Sequence, residues 1–252
     1  KEIRSDVARA KALLAGDAPV YASIAPSFAA NYDNIGIASM RNALLKLGFA
    51  GAEETAYGAT VVKNEYDRIC NEGTQDVVIA TCCHTVNLLI QKHFTEAIPY
   101  LAQIQSPMQV HCGILKKAHP DAKTVFIGPC ISKKSEAEDY EGIVDCVLTF
   151  EELGEWFEEA GITLELTEEQ NEPAGKARFF PTSGGILKSM ECKNEKYSYL
   201  AVDGMSSCIH AIKDIIAGNI HNCFIEMSAC PGSCIGGPAM HKAHKAPVQG
   251  YL

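Results

Sequence analysis

Short apolar runs alternate with amphipathic stretches along most of this chain, the pattern of an α/β protein with a mainly parallel sheet. The apolar runs predict strands at Val20–Ile24, Asp76–Ala80, Thr124–Ile127, Cys146–Thr149, Tyr199–Val202 and Cys223–Met227. Helical periodicity covers Ser39–Leu47, Glu53–Asn71, Thr85–Phe94, Ser106–Ala118, Glu151–Ala160 and Ser206–Ala217. Gly48, Gly161 and Gly218 stand where a glycine C-cap is expected. Thr163–Lys176 is acidic and lacks an apolar period, so it reads as a solvated connection. There is no internal repeat, coiled coil or low-complexity tract.

At 252 residues, with 47% hydrophobic and 21% charged positions, the chain can bury a substantial core as one large domain or two lobes. Its net charge of −9 comes without a basic cluster larger than Lys116-Lys117 or Lys133-Lys134. Nucleic acid, which demands dense neutralisation of phosphates, is therefore not an expected partner. No stretch approaches the roughly 20 apolar residues of a membrane span. The chain begins at Lys1 without a methionine, so residues 1–252 are read as a single domain excised from a longer chain.

Eleven cysteines are many and odd in number. A chain of this size does not need disulfide staples, and adjacent Cys82 and Cys83 make an awkward pair. The expected setting is a reducing, cytoplasmic compartment, with some thiols on metal and the others packed as small apolar groups. Cys70, Cys112, Cys146, Cys192, Cys208 and Cys223 are read as core.

The candidate chemistry begins at Glu226-Met-Ser-Ala-Cys-Pro-Gly-Ser-Cys-Ile-Gly-Gly-Pro238. Cys230 and Cys234 sit four apart in a loop too rich in glycine for a helix. Such a loop lets backbone N–H groups approach the sulfurs of an inorganic cluster. Cys83, Cys130 and Cys230 each follow a predicted strand, as does Ala25-Pro26-Ser27. In open α/β sheets the crevice beyond the carboxyl ends of strands binds ligands. Cys83, Cys130, Cys230 and Cys234 thus supply the four thiolates of a 4Fe–4S cluster.

Thr81-Cys-Cys83, Gly128-Pro-Cys-Ile-Ser-Lys-Lys134 and Glu226–Cys234 resemble, in order and spacing, the three signature motifs of iron–iron (FeFe) hydrogenases. Ile24–Ser27, Gln105–Gln109 and Phe180–Gly185 are similar to weaker family segments, so the likeness runs from about Val20 to Pro238. The resemblance implies two lobes of mainly parallel sheet flanked by helices, with an H-cluster in the crevice between them. That cofactor is a cubane 4Fe–4S cluster joined to a diiron subcluster carrying CO, CN and a bridging azadithiolate. By motif position, Cys83, Cys130, Cys230 and Cys234 would ligate the cubane, and Cys234 would bridge to the diiron unit. Lys133, three positions after Cys130, would contact one cyanide. Ala25, Pro26 and Ser27 would line the other, and Phe180, Gly184 and Gly185 would cover the pocket. Cys82 would pass protons to the bridgehead amine, since a thiol pKa near about 8.5 lies within reach of neutral pH.

The chain departs from the catalytic pattern at several points. Gly128 and Ser228 stand where catalytic members carry methionine, and Met108 where many have glutamine. Loss of two thioethers is expected to leave space, water or a hydroxyl near the cluster. Ala102 replaces a relay serine, and Thr55–Val62 contains no acid where two relay glutamates would align. Glu136 and Glu226, each close to a motif, are the alternative proton carriers, although carboxylates so placed are more often exposed or capping. Gly128 and Ser228 resemble the sensory branch of the family. The expectation is therefore slow, reversible cleavage of dihydrogen to protons and electrons, serving hydrogen sensing.

No Cys-x-x-Cys run precedes Val20, so electrons would pass to a redox partner or accessory Fe–S domain. Maturation enzymes and a regulatory module in the full-length chain are the other expected partners. His241 and His244 in the Met240–Leu252 tail have metal-like spacing, but nothing nearby completes a ligand set. Two other readings stay open: a non-catalytic 4Fe–4S protein similar to hydrogenase-like Fe–S assembly factors, and a zinc protein using four cysteines.

Overall fold

A computed structural model describes residues 4–167, 175–192 and 194–240. His241, His244 and part of the Thr163–Lys176 connection lie outside these residues. Every strand pairing among the described residues is parallel, and the strands fall into two sheets.

The first sheet has the order β2-β1-β4-β5, with β1 at Val20–Ile24, β2 at Gly51–Glu54, β4 at Lys123–Gly128 and β5 at Cys146–Thr149. The second has the order β3-β7-β6, with β3 at Val77–Ile79, β6 at Ser198–Asp203 and β7 at Cys223–Ser228. Helices α1 (Val7–Leu14), α2 (Phe28–Asn31), α3 (Ile37–Lys46), α4 (Ala56–Glu72), α5 (His84–His93) and α6 (Pro107–Ala118) flank them. So do α7 (Ser132–Asp139), α8 (Phe150–Glu159), α9 (Gly185–Ser189) and α10 (Met205–Ile216).

The two lobes are packed differently. In the first, Ala22, Ile24, Val125, Ile127 and Leu148 bury against Phe150, Leu153 and Trp156. In the second, alternation along β3 splits the side chains between two faces. Val78 and Phe224 meet Tyr66 of α4, while Val77, Ile79 and Ile225 meet Ile90 and Ile212 of α5 and α10. Strands β3 and β7 thus carry apolar side chains on both faces, as buried parallel strands do.

One sequence expectation fails locally. The stretch expected to begin a helix at Glu53 instead forms β2, and α4 starts only at Ala56. Gly51-Ala-Glu-Glu54 lacks the β-branched residues that signal a strand. Its two acids are used for ion pairing and leave on opposite faces: Glu54 is buried against Arg178, and Glu53 reaches His111. Helix α7 was also not expected, because Ser132–Asp139 has no apolar stripe. Its two lysines and Glu136 are fixed by buried ion pairs instead.

Candidate metal centre

The strand ends converge as expected of an open parallel sheet. Beyond β1 lies Ala25-Pro26-Ser27, beyond β4 Pro129-Cys130, beyond β3 Thr81-Cys82-Cys83, and beyond β7 the Cys230–Cys234 loop. A cavity of about 90 Å³ opens there between the lobes. Ala25, Pro26, Ser27, Cys82, Cys130, Lys133, Phe180 and Cys234 line it.

All four candidate ligand sulfurs lie within electrostatic range of one another. Cys234 lines the cavity and is exposed by its residue surface, yet its sulfur is surrounded by protein: desolvation first, then the neighbouring sulfurs of Cys130, Cys83 and Cys230, raise its thiol. Burial pushes Cys230 up to about 11, with Cys130 and Cys83 adding to it. Cys130 is likewise raised by burial and by Cys83, against the opposing charge of Lys133. The rise shared by Cys130, Cys230 and Cys234 means three thiols that strongly resist becoming anions unless cations join them.

Lys133 supplies one nearby positive charge. Its Nζ donates to the Cys82 carbonyl at 3.2 Å and to the buried Glu136 carboxylate. Desolvation opposes its charge, but Glu136, Cys130 and Cys82 outweigh that effect and hold it above the ordinary lysine range. Glu136 also accepts from Ser106 Oγ. Lys134, one step along α7, faces elsewhere: it bonds Asp6 at 2.8 Å and Glu152 at 2.8 Å. The two lysines of one motif therefore have different tasks, the first at the cavity and the second in the frame.

Cys82 is half-buried in the cavity wall, and desolvation pushes its thiol up to about 12. The Tyr66 hydroxyl lies 3.3 Å from its sulfur. Glu226 is buried nearby, and desolvation raises its carboxyl to about 7 despite the N–H of Leu187 at 3.1 Å.

Not every candidate residue reaches the cavity. Gly184 caps α9 at φ +70°, where its backbone faces Glu226 rather than the cavity wall. Ser228 turns its hydroxyl to Ser233 at 3.0 Å. Gly128 lies behind the wall, and the vacancy expected there is absent. A Cβ on Gly128 would stand 2.8 Å from the Phe126 ring and 3.0 Å from the Ala25 Cβ. An aromatic side chain from the same strand already fills that space.

The sequence profile described as "Iron only hydrogenase large subunit, C-terminal domain" matches residues 18–238. The chain belongs to this family. "Iron hydrogenase 1" of Clostridium pasteurianum is 25% identical over 77% of this chain and 44% of its own length. "Periplasmic [Fe] hydrogenase large subunit" of Nitratidesulfovibrio vulgaris is 26% identical over 79% of this chain and 61% of its own. The chain thus spans less than two thirds of either hydrogenase. "Cytosolic Fe-S cluster assembly factor NAR1" of Kluyveromyces lactis is 37% identical, over 33% of this chain and 18% of its own length. The FeFe-hydrogenase HydA1 of Chlamydomonas reinhardtii superposes with a TM-score of 0.77 at 20% identity, over 98% of this chain and 87% of that one. This likeness shows the hydrogenase H-cluster fold.

The residues present fit the cofactor such a hydrogenase domain implies. Cys130 and Cys234 line the cavity beside Lys133, and Cys83 and Cys230, which do not line it, lie within electrostatic range of both. Ser27 Oγ is fully buried in the cavity wall and has no hydrogen-bond partner among the described residues. A buried hydroxyl without a partner is costly, so an acceptor or donor inside the cavity would satisfy it. The zinc alternative fits poorly. Among the described residues, no three His, Cys, Asp or Glu side chains stand close enough to hold one metal ion. A zinc centre draws all its sulfurs to about 2.3 Å from one ion. A cubane instead puts each thiolate on a different iron and asks for wider spacing.

Tyr66 and Thr55 belong to this site and were not singled out in the sequence. Tyr66 lies on the buried stripe Ala59, Val62, Tyr66 and Cys70 of α4, where its hydroxyl is the one group that could have marked it.

Proposed function

We propose that this chain is the H-cluster domain of an iron–iron hydrogenase that cleaves dihydrogen reversibly, slowly, and in the service of hydrogen sensing. The observation that carries this reading is the single cavity shared by Cys82, Cys130, Lys133, Cys234 and the Ala25-Pro26-Ser27 turn. Cys83, Cys130, Cys230 and Cys234 would hold the cubane, with Cys234 extending to the diiron unit. Lys133 and Ser27 would face its cyanides, with Ala25, Pro26 and Phe180 as the apolar wall.

When bound, the H-cluster would supply the heterolytic cleavage of dihydrogen. The chain's own residues hold and move the proton. Burial keeps Cys82 protonated near neutral pH, so its Sγ–H is a donor that needs a base in the same pocket. Glu226, raised to about 7, lies within electrostatic range of that sulfur and changes its charge near neutral pH. Lys133 is committed to Glu136 and to the Cys82 carbonyl, so it stays charged and orients rather than shuttles. The same ion pair makes Glu136 a poor proton carrier.

Slow turnover and a sensing role are supported by Gly128 and Ser228 in the positions of two methionines, and by the interrupted relay at Ala102. A redox partner or accessory Fe–S domain, maturation enzymes and a regulatory module would be the chain's partners. A reducing, cytoplasmic setting is supported by eleven unpaired cysteines. Among the described residues no helix is long and apolar enough to cross a membrane.

Infrared spectroscopy of the matured protein, with and without dihydrogen, tests the reading. Bands of metal-bound carbon monoxide and cyanide that move under dihydrogen are expected. An iron–sulfur spectrum without such bands would instead favour a non-catalytic 4Fe–4S protein, the reading to which the partial likeness with the assembly factor points.

A further inference from the structure

Thr55, at the start of α4, lines the cavity. From it a series of hydrogen bonds runs unbroken to the surface. Thr55 Oγ1 lies 2.8 Å from Ser23 Oγ. Ser23 Oγ lies 2.7 Å from His111 Nδ1, and His111 Nε2 lies 3.3 Å from Glu53 Oε2. Ser23 and His111 are fully buried, whereas the Glu53 side chain is 42% exposed.

The register of the first sheet builds this line. Ser23 of β1 pairs with Glu53 of β2, so both side chains leave the sheet on one face. His111 descends on them from α6. The helix comes that close because residue 58 has no side chain: a Cβ on Gly58 would stand 2.5 Å from the Pro107 carbonyl oxygen and 2.7 Å from the His111 Cβ.

Every internal member both donates and accepts. A hydroxyl does so by rotating, and a neutral imidazole does so with one nitrogen each way. A histidine serving only as packing would need neither an exposed carboxylate on one nitrogen nor a hydroxyl pair leading to the cavity on the other. We infer that Thr55, Ser23, His111 and Glu53 form a proton wire between solvent and the cluster cavity, a route separate from Cys82. This inference rests on the hydrogenase reading above.

The transfer balances without any oxidant or reductant. A proton from water is taken by the Glu53 carboxylate and handed to His111 Nε2. The Nδ1 proton passes to Ser23 Oγ, which gives its own to Thr55 Oγ1, and the Thr55 proton passes to a base in the cavity, an amine or a water molecule. Rotation of the two hydroxyls and return of the ring to its first tautomer reset the line. Oxidation of dihydrogen runs it backwards. The charged and titratable groups near its outer end are Glu53, Arg41 and His119, and the Tyr57 ring stacks on His111 with centroids 6.1 Å apart.

Two measurements test the wire. In protein without cluster, labelled with 15N-histidine, the ring N–H of His111 is expected to exchange rapidly with water despite full burial. That exchange should slow roughly tenfold or more in Glu53→Gln, which cannot carry the proton onward. A single fixed tautomer, its N–H protected for hours and indifferent to Glu53→Gln, would overturn the inference. In matured protein, Thr55→Val and Ser23→Ala are each expected to lower turnover roughly tenfold, to enlarge the solvent deuterium effect, and to leave the infrared bands in place. Unchanged turnover and isotope effect in both variants would equally overturn it. Should maturation yield no such bands at all, the hydrogenase reading fails, and the His111 exchange still decides the wire by itself.

Discussion

The hydroxyl of Tyr66 lies 3.3 Å from the sulfur of Cys82 and accepts the backbone N–H of Thr81 at 2.9 Å. One side chain of α4 thus fixes both the thiol of the first motif and the peptide that carries it.

Tyr66→Phe removes that acceptor and leaves the buried Thr81 N–H unpaired. A loss of about 1–3 kcal/mol is expected from such an orphaned donor. Urea unfolding monitored by circular dichroism measures it, and a midpoint equal to that of the parent would contradict the role given to this phenol.

Cys82→Ala is expected to spare the clusters and suppress turnover, since the thiol holds a proton but is not among the proposed ligands. Cys83→Ala is expected to prevent cubane assembly. Iron content and infrared spectra of the two matured variants separate the cases. Loss of iron in Cys82→Ala would undo the division of labour between these neighbours.

Lys134 anchors α7 to the first lobe through Asp6 and Glu152, and Glu152 also closes the Thr149 capping box of α8. Removing one partner of a buried ion pair leaves uncompensated charge and typically costs about 3–5 kcal/mol. Lys134→Ala should fall in that range by chemical denaturation. Lys134→Met, which keeps the stem, should lose less.

Glu226 makes stability depend on pH. Its carboxyl is raised by burial to about 7, above the 4.5 of a free glutamate. The folded protein therefore binds the proton more tightly than the unfolded chain does. Stability from this group is full below about pH 4.5 and is lost as pH rises through 7, with a total of the order of 3 kcal/mol. Unfolding of the cluster-free protein across that window should show the decline, and Glu226→Gln should flatten it.

Much of the architecture could be read before any coordinates. Apolar runs located β1, β3, β4, β5 and β7, because strands buried on both faces are largely continuous apolar blocks; β6, an edge strand with no buried residue, was located by the short run Tyr199–Val202. Strand β2 was hidden, since its side chains serve ion pairs rather than the core. The convergence of the cysteine loops followed from their place after strands. The positions of Tyr66, Ser23 and His111 did not, since each depends on the angle at which α4 or α6 crosses a sheet. Nothing local in the chain encodes that angle. The same holds for Gly128, where only the packed structure reveals that Phe126 occupies the expected gap.

Phe126 makes residue 128 a locked position. A side chain there would bring its first carbon to 2.8 Å from the Phe126 ring and 3.0 Å from the Ala25 Cβ. Enlarging residue 128 therefore requires the ring two residues back to turn aside or to be replaced by a smaller one, so the two positions are expected to change together.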